Sequence, residues 1–354
     1  MESYKSSFFS KTPAPESSVM FKDHENLDAE YAPEPSSLDD TSFGPLPLDN
    51  TSPGTLEKPA FVMNCPFSFS TEQPNNAWMR EIEDEQRKVD RHRAIAQFAR
   101  LYHFMAAEAL VFLLPTPRHS GLQDLVFTAN LGVVLEHLPE RDVVVLSNFR
   151  SEPGIGETEI GQKFFQAMGY RTVVPPYKFE GEAELKHLYD NVYVGGYGIR
   201  SEPDVYDWFE REFDMTVLKL EEVDEYLYHL DCSLFPITRE DTLVCTELFT
   251  KPELAVLAKV TNIIDVSVDA AYSGICNSIR YHNSILNSSH IHTLKVGTDD
   301  YRYELEKNRE LEDICARLGL EVSYFNLSEY HKSGALLSCM VMHLNRRSSA
   351  FRLI

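Results

Sequence analysis

The sequence predicts an α/β fold built from small repeated units. Three observations carry that reading. Beyond residue 110, short apolar runs alternate with amphipathic helical segments, and the order strand, strand, helix, strand recurs several times. No apolar run reaches the roughly 18 residues of a membrane span. The one glycine cluster, Gly195-Gly196-Tyr197-Gly198, lacks the spacing of a phosphate-binding loop and reads as a tight turn that only glycine fits. Such units build either an open parallel sheet or a ring of ββαβ modules. The units share too little sequence to establish a repeat.

The elements follow in order. Residues 1–58 are rich in Ser, Pro, Asp and Glu, as in Tyr31-Ala32-Pro33-Glu34-Pro35-Ser36-Ser37. They cannot bury enough apolar surface to offset chain entropy, so they predict a disordered acidic tail. Order is expected from Pro59 on, giving one domain over 59–354. A long helical stretch is expected over Asn76–Leu113, charged in its first part and apolar on one face in its second, closed by Pro115 and Pro117. Strands are expected at Leu110–Leu114, Leu125–Thr128, Gly132–Leu135, Val143–Leu146, Thr172–Val174 and Val192–Gly195. Further strands are expected at Thr216–Leu220, Leu234–Thr238, Asp241–Val244, Ile263–Val266, His292–Val296 and Glu321–Tyr324. The helices between them are Ile160–Met168, Pro203–Glu212, Lys251–Val260 and Tyr301–Leu318.

Composition narrows the function. With 33 basic and 55 acidic side chains the chain carries a formal charge of −22, which repels phosphate backbones and anionic membranes and weakly favours small cations. Neither a nucleic-acid nor a membrane partner is expected. The six cysteines are scattered without a CxxC pair, which argues against a zinc ribbon or a disulfide framework. A reduced, cytoplasmic setting is expected, because the first residues lack an apolar signal core. His282, His290 and His292 have no cysteine or carboxylate at ligand spacing, so no metal site is expected.

The residues able to do chemistry lie far apart in sequence. Cys339 follows the turn Lys332-Ser333-Gly334, His229 and Asp231 alternate in Tyr228-His229-Leu230-Asp231, and Glu180, Glu182 and Glu184 alternate in one acidic segment. Alternating residues share one face of a strand, so His229 with Asp231, and the three glutamates, are each expected to converge. Asp124 and Asn130 bracket Asp124-Leu125-Val126-Phe127-Thr128-Ala129-Asn130. A thiol, an imidazole and several carboxylates are the parts needed for thiolate attack on a cationic amidine carbon.

Seven short motifs, in order over residues 60–345, resemble the guanidino-group-modifying superfamily of deiminases, dimethylarginine hydrolases, arginine dihydrolases and amidinotransferases. They are Met63-Asn64-Cys65-Pro66 with Asn75-Asn76-Ala77-Trp78-Met79, Asp124–Asn130, Phe149-Arg150, Glu180–Glu184, Gly196–Arg200, His229-Leu230-Asp231, and Lys332-Ser333-Gly334 with Cys339. The resemblance implies a five-bladed α/β propeller with its site on the central axis. It implies Cys339 as nucleophile, His229 as acid and base, and Glu180 or Glu182 as the catalytic carboxylate. Asp124, Asn130, Asp231, Glu184, Arg150 and Arg200 would bind a small cationic guanidino substrate. No cofactor is implied, since thiolate and imidazole suffice. Hydrolysis of arginine or a methylated arginine is the expected reaction. Amidino transfer to an amine, or a degenerate binding protein on the same fold, are the alternatives.

Three departures stand out. Asn130 replaces an aspartate common in the superfamily and cannot neutralise a guanidinium; it resembles the dihydrolase branch. The segment Glu152–Glu157 lacks a second arginine, and Ala335-Leu336-Leu337 makes a less Gly-rich approach to the cysteine.

Overall fold

The computed structural model describes residues 56–118 and 121–349. The expected tail therefore lies outside the described residues, save for Leu56, Glu57 and Lys58. Among the described residues, five separate three-stranded sheets form the blades of a propeller. Blade 1 holds β1 (Ala60–Asn64), α1 (Arg91–Ala106) and β2 (Leu110–Leu114). Blade 2 holds β3 (Gly132–Val134), β4 (Val143–Leu146), α2 (Glu157–Ala167) and β5 (Arg171–Val173). In blade 3, β6 (Leu185–Tyr189) and β7 (Val192–Tyr197) precede α3 (Asp204–Phe213) and β8 (Thr216–Glu221). Blade 4 runs β9 (Leu234–Pro236), β10 (Asp241–Val244), α4 (Lys251–Leu257), β11 (Asn262–Asp265). Blade 5 runs β12 (Ile279–Tyr281), β13 (Ser284–Ser288), α5 (Asp299–Arg317), β14 (Glu321–Phe325). The last strand, β15 (Met342–His343), returns to blade 1.

Every blade repeats one plan. Its middle strand pairs antiparallel with the first strand and parallel with the third, as in Leu185↔Gly195 and Val192↔Thr216 of blade 3. The parallel pair needs a crossover, and the helix supplies it. In blade 1 the first strand is β15, paired through Phe61↔His343 and Val62↔Met342, so the two ends of the described chain close the ring. Helix starts are capped where the chain turns from strand to helix: the Asp90 side chain accepts from the His92 and Arg93 amides, and Thr250 forms a capping box with Glu253.

The cores lie between neighbouring blades. Ala60 and Val62 of β1 pack with Val134, Val144 and Leu146 of blade 2, while Phe61 and Met63 pack with Ile279 and Leu286 of blade 5. Val133, Val143 and Val145 face the other way, onto Leu185 and Tyr193 of blade 3. Both faces of each middle strand are thus buried, which is why β4, Val143–Leu146, reads as a continuous apolar run rather than an alternating one. The outer strands β2, β5, β11 and β14 carry the exposed positions.

This plan sets where function can sit. Each first strand starts at one end of the ring axis and finishes at the other. From the segments just before these strands, 124–130, 180–184, 228–232, 274–277 and 333–340, Asp124, Asn130, Glu180, Tyr228, His229 and Ser333 gather at one mouth. The residues that follow them gather at the opposite mouth.

Several expectations need correction. The stretch 76–113 is not one helix: a turn at Ala77–Glu81 capped by Asn76, a turn at Asp84–Arg87 and then α1 precede β2. Asp90 caps a new start and Leu110–Leu114 is claimed by pairing with β1, so Pro115 and Pro117 follow a strand. Leu125–Thr128 forms turns that lead into a 3₁₀ segment at Thr128–Asn130, and His292–Val296 begins inside another at Ile291–Thr293 and continues as irregular turns. Gly195 and Gly196 lie inside β7 rather than in a turn. At Gly196 a Cβ would come within 2.8 Å of the Glu184 carboxylate and of Leu230, so that strand passes the site only as glycine.

Candidate active site

Two clusters meet at the first mouth. In one, His229 Nε2 lies 2.8 Å from Glu180 Oε2, with both side chains almost fully buried. Glu180 also faces Arg200 Nη1 at 3.5 Å, and its Oε1 accepts the Arg150 backbone N–H at 3.2 Å. Against the cost of burial, Arg200 and then His229 hold the Glu180 carboxyl down to about 2. Arg200 sits over the Tyr228 ring at 4.9 Å and donates to the Asn75 carbonyl at 3.0 Å.

The second cluster surrounds the thiol. Cys339 sits in a 3₁₀ turn, Ser338–Met340, immediately before β15. Its Sγ lies 3.6 Å from Asp231 Oδ2 and accepts from Asn277 Nδ2 at 3.4 Å. Ser338 completes the clamp: its Oγ donates to Asp231 Oδ2 at 2.6 Å and its N–H to Asn277 Oδ1 at 2.8 Å. Burial, reinforced by the Asp231 charge, pushes the Cys339 thiol up to about 12. The thiol is therefore neutral at neutral pH until a cation arrives beside it.

A small cavity opens against the first cluster, of about 30 Å³. Asp124, Asn130, Glu157, Glu180, Arg200 and His229 are among its lining residues. That is room for a water molecule or two, so an arginine-sized ligand requires its walls to move. Three carboxyls converge there, and their environments differ. Burial pushes Asp124 up to about 6 against the pull of Arg200. Burial, then Asp124 and Glu180, push Glu157 well above the usual carboxylate range, and its Oε1 is buried without a hydrogen-bond partner. Asn130 Oδ1 is likewise buried and unpartnered. A pocket with convergent buried carboxyls and unsatisfied acceptors is suited to a planar cation with several N–H donors.

The sequence-predicted residues do not all meet. Glu180, His229, Asp124, Asn130 and Arg200 line one cavity, and Asp231 touches Cys339. Glu182 does not join them. Residues Gly181–Glu184 form a helical turn rather than a strand, so the three glutamates do not share a face. Gly181 has φ +64, and a Cβ there would strike the Ala129 carbonyl at 2.4 Å. Glu182 instead accepts from His343 Nδ1 at 2.9 Å and Arg346 at 2.8 Å at the opposite mouth. Glu184 packs beside Glu222 below His229; burial raises Glu184 to about 7 and Glu222 well above its usual range. Glu184 Oε2 accepts the Leu230 N–H at 3.3 Å. Arg150 is half exposed and turns its side chain to the Arg200 carbonyl and Glu202, contributing its backbone N–H to the site. His229 and Asp231 are not strand neighbours either, because a 3₁₀ turn at Leu230–Cys232 separates them.

Sequence reasoning missed Glu157, Asn277 and Ser338. Asn277 precedes β12 and so occupies a position where the ring plan gathers functional residues, whereas Glu157 reaches the cavity from the start of α2, after a middle strand. The Asn75-Asn76-Ala77-Trp78-Met79 segment has a mechanical role: Asn76 donates to the Ser333 carbonyl at 2.9 Å and Trp78 to the His331 carbonyl at 2.9 Å. It ties the first turn to the loop that carries the cysteine. Among the described residues no cluster of three or more His, Cys, Asp or Glu side chains forms a metal site, and no helix is long and apolar enough to cross a membrane.

Five three-stranded blades with these residues gathered at one mouth define a member of the guanidino-modifying superfamily. Residues 65–346 match the family described as N,N dimethylarginine dimethylhydrolase, eukaryotic, and the chain belongs to that family. It is 27% identical over 290 residues to the bifunctional arginine dihydrolase/ornithine cyclodeaminase AgrE of Nostoc, covering 80% of this chain and 37% of that one. It thus spans little more than a third of that relative. The N(G),N(G)-dimethylarginine dimethylaminohydrolase of Mycobacterium tuberculosis is 29% identical over 176 residues, 49% of this chain and 54% of that one. Among solved structures, AgrE with ornithine and NAD+ aligns with a TM-score of 0.70 at 26% identity, covering 81% of this chain and 39% of that one.

Proposed function

We propose that the protein hydrolyses a guanidinium C–N bond of arginine or a methylated arginine through a covalent adduct on Cys339. The observation that carries this reading is the juxtaposition of the His229–Glu180 pair at 2.8 Å with an acid-lined cavity, beside a thiol clamped by Asp231. The substrate guanidinium sits among Asp124, Glu157 and Glu180. Its charge beside the sulfur lowers the thiol pKa, and the thiol proton passes to His229. Sγ then forms a bond to the guanidinium carbon. The C–N bond breaks as His229 protonates the leaving amine. His229 next takes a proton from water, the oxygen adds to the same carbon, and the C–S bond breaks to restore the thiol. Glu180 holds the imidazole in place and stabilises its charged form. Names of relatives that include dimethylarginine dimethylaminohydrolase and arginine dihydrolase support the same substrate class.

The test is product analysis with arginine and methylated arginines, using Cys339→Ala as control. Citrulline with ammonia from arginine, citrulline with methylamine or dimethylamine from methylated arginines, or ornithine with ammonia where a further cleavage follows, is expected from the parent protein and absent from the variant. A folded protein that turns over none of them would sink the reading.

A further inference from the structure

The opposite mouth of the ring holds a larger cavity, of about 340 Å³, which the reaction above does not use. Its lining is cationic in a chain of net charge −22. Lys186, Arg239, Arg280 and Arg346 face it, against only two carboxylates, Glu182 and Asp190. The two carboxylates are already engaged: Glu182 with Arg346 at 2.8 Å and Asp190 with Arg239 at 3.0 Å. Lys186 lines the same cavity, and its ammonium makes no hydrogen bond or ion pair among the described residues. Arg280 is anchored from behind by the Ile237 carbonyl at 3.1 Å, which fixes its position on the wall. Phe235, Ile237 and Ile279 supply an apolar lining between the cations. His187 and His343 spend their ring N–H on the Asp190 carbonyl and on Glu182, each at 2.9 Å, and burial holds both below their usual pKa, so neither adds charge to the cavity.

A concave site of this size with a few convergent polar groups on apolar walls has the anatomy of a small-molecule pocket. An unpaired ammonium with fixed guanidiniums beside it selects a compact anion. We propose that this cavity is an effector site for a small organic or inorganic dianion, bound by Lys186 with Arg239, Arg280 and Arg346 around it. The cavity reaches the reactive centre through one residue. Ser338 lines it, and Ser338 also donates to Asp231 and to Asn277, the two groups that hold Cys339. The Lys186 charge also favours the Cys339 thiolate. A dianion on Lys186 cancels that contribution and makes the thiol less reactive.

Binding and thiol reactivity both test this without any assumption about the substrate. Calorimetric titration of the full chain with inorganic phosphate and, separately, succinate at fixed ionic strength is expected to show saturable binding of at least one probe. The tighter probe says whether phosphate or dicarboxylate chemistry is preferred. Lys186→Gln is expected to weaken binding at least ~10-fold, and Arg239→Gln, at an exposed side chain that folding tolerates, severalfold. Occupancy is expected to slow iodoacetamide alkylation of Cys339, followed by peptide mapping, severalfold in the parent and not in Lys186→Gln. Absence of saturable binding below about 10 mM of either probe, or binding that both variants leave unchanged, overturns the proposal. So does binding that leaves Cys339 alkylation unaltered.

Discussion

Glu180 and Glu182 stand two residues apart and do the same thing at opposite ends of the ring. Each is a buried carboxylate shared by one histidine and one arginine: Glu180 by His229 and Arg200, Glu182 by His343 and Arg346. Each is held down to about 2 by those partners against the cost of burial. Electrostatics alone cannot tell the two apart, nor can sequence. What separates them is the neighbourhood. The Glu180 cluster borders an acid-lined cavity beside the clamp on Cys339, whereas the Glu182 cluster ties β15 and the residues after it to blade 3 beside a cationic cavity. A perturbed carboxylate therefore marks a site only together with what it faces.

Isosteric substitution should pull the two apart. Glu180→Gln removes the charge that stabilises an imidazolium at His229, and kcat is expected to fall about 10²–10⁴-fold, the range of an acid–base contribution. Glu182→Gln leaves Arg346 without its carboxylate and is expected to cost about 3 kcal/mol of stability, with kcat of the folded fraction within about threefold of the parent. Denaturant melts and steady-state kinetics on both variants check this. Equal kcat losses in the two would collapse the distinction.

Glu157 gives the next effect in size. It lines the first cavity as a neutral acid, so Gln mimics its free state and only a bound cation feels the change. Glu157→Gln is expected to raise KM about tenfold, or ~1.4 kcal/mol, with kcat within about threefold. A fall in kcat with KM unchanged would place Glu157 in the chemistry rather than in the grip.

The same comparison shows what sequence can and cannot carry. The middle strands β4, β7 and β10 and four of the crossover helices were legible because these strands carry buried apolar residues on both faces. The inner strands β6, β12 and β15 were not, because they line the polar axis: Lys186, His187, Arg280 and His343 interrupt the apolar pattern. β13 was missed for its buried polar residues, Asn287 and Ser288, which answer the buried Lys307. Leu125, Val126 and Phe127 looked like a strand since all three are buried, yet they serve two different cores from a turn. The site residues were found through motif order. Which glutamate meets His229 depended on the helical turn after Gly181, a conformation that the alternating glutamates conceal.

The smallest effect concerns pH. Glu180 and Glu182 have lowered pKa values, so their stabilisation is present above the ordinary carboxylate range and is lost as pH falls towards 2. Asp124, raised to about 6, and Glu184, raised to about 7, have the opposite sign. Protons bound more tightly in the folded state stabilise it below the unfolded pKa, and that stabilisation is lost as pH rises through 6 to 7. The two sets together predict a maximum of thermal stability near about pH 5, with a decline on both sides. The net charge of −22 adds self-repulsion on the alkaline side, so the wild-type profile alone does not isolate the buried acids. Glu184→Gln does. Gln replaces the carboxyl beside Glu222 without an ionisation to lose, and the fall in Tm between pH 5 and 8 is expected to shrink by about 2 °C. Circular-dichroism melts of both proteins across that range decide it. A wild-type Tm that climbs steadily from pH 5 to 8 would mean that the carboxyls at the first mouth are ionised in the free protein, and that the cavity meets its cation already charged.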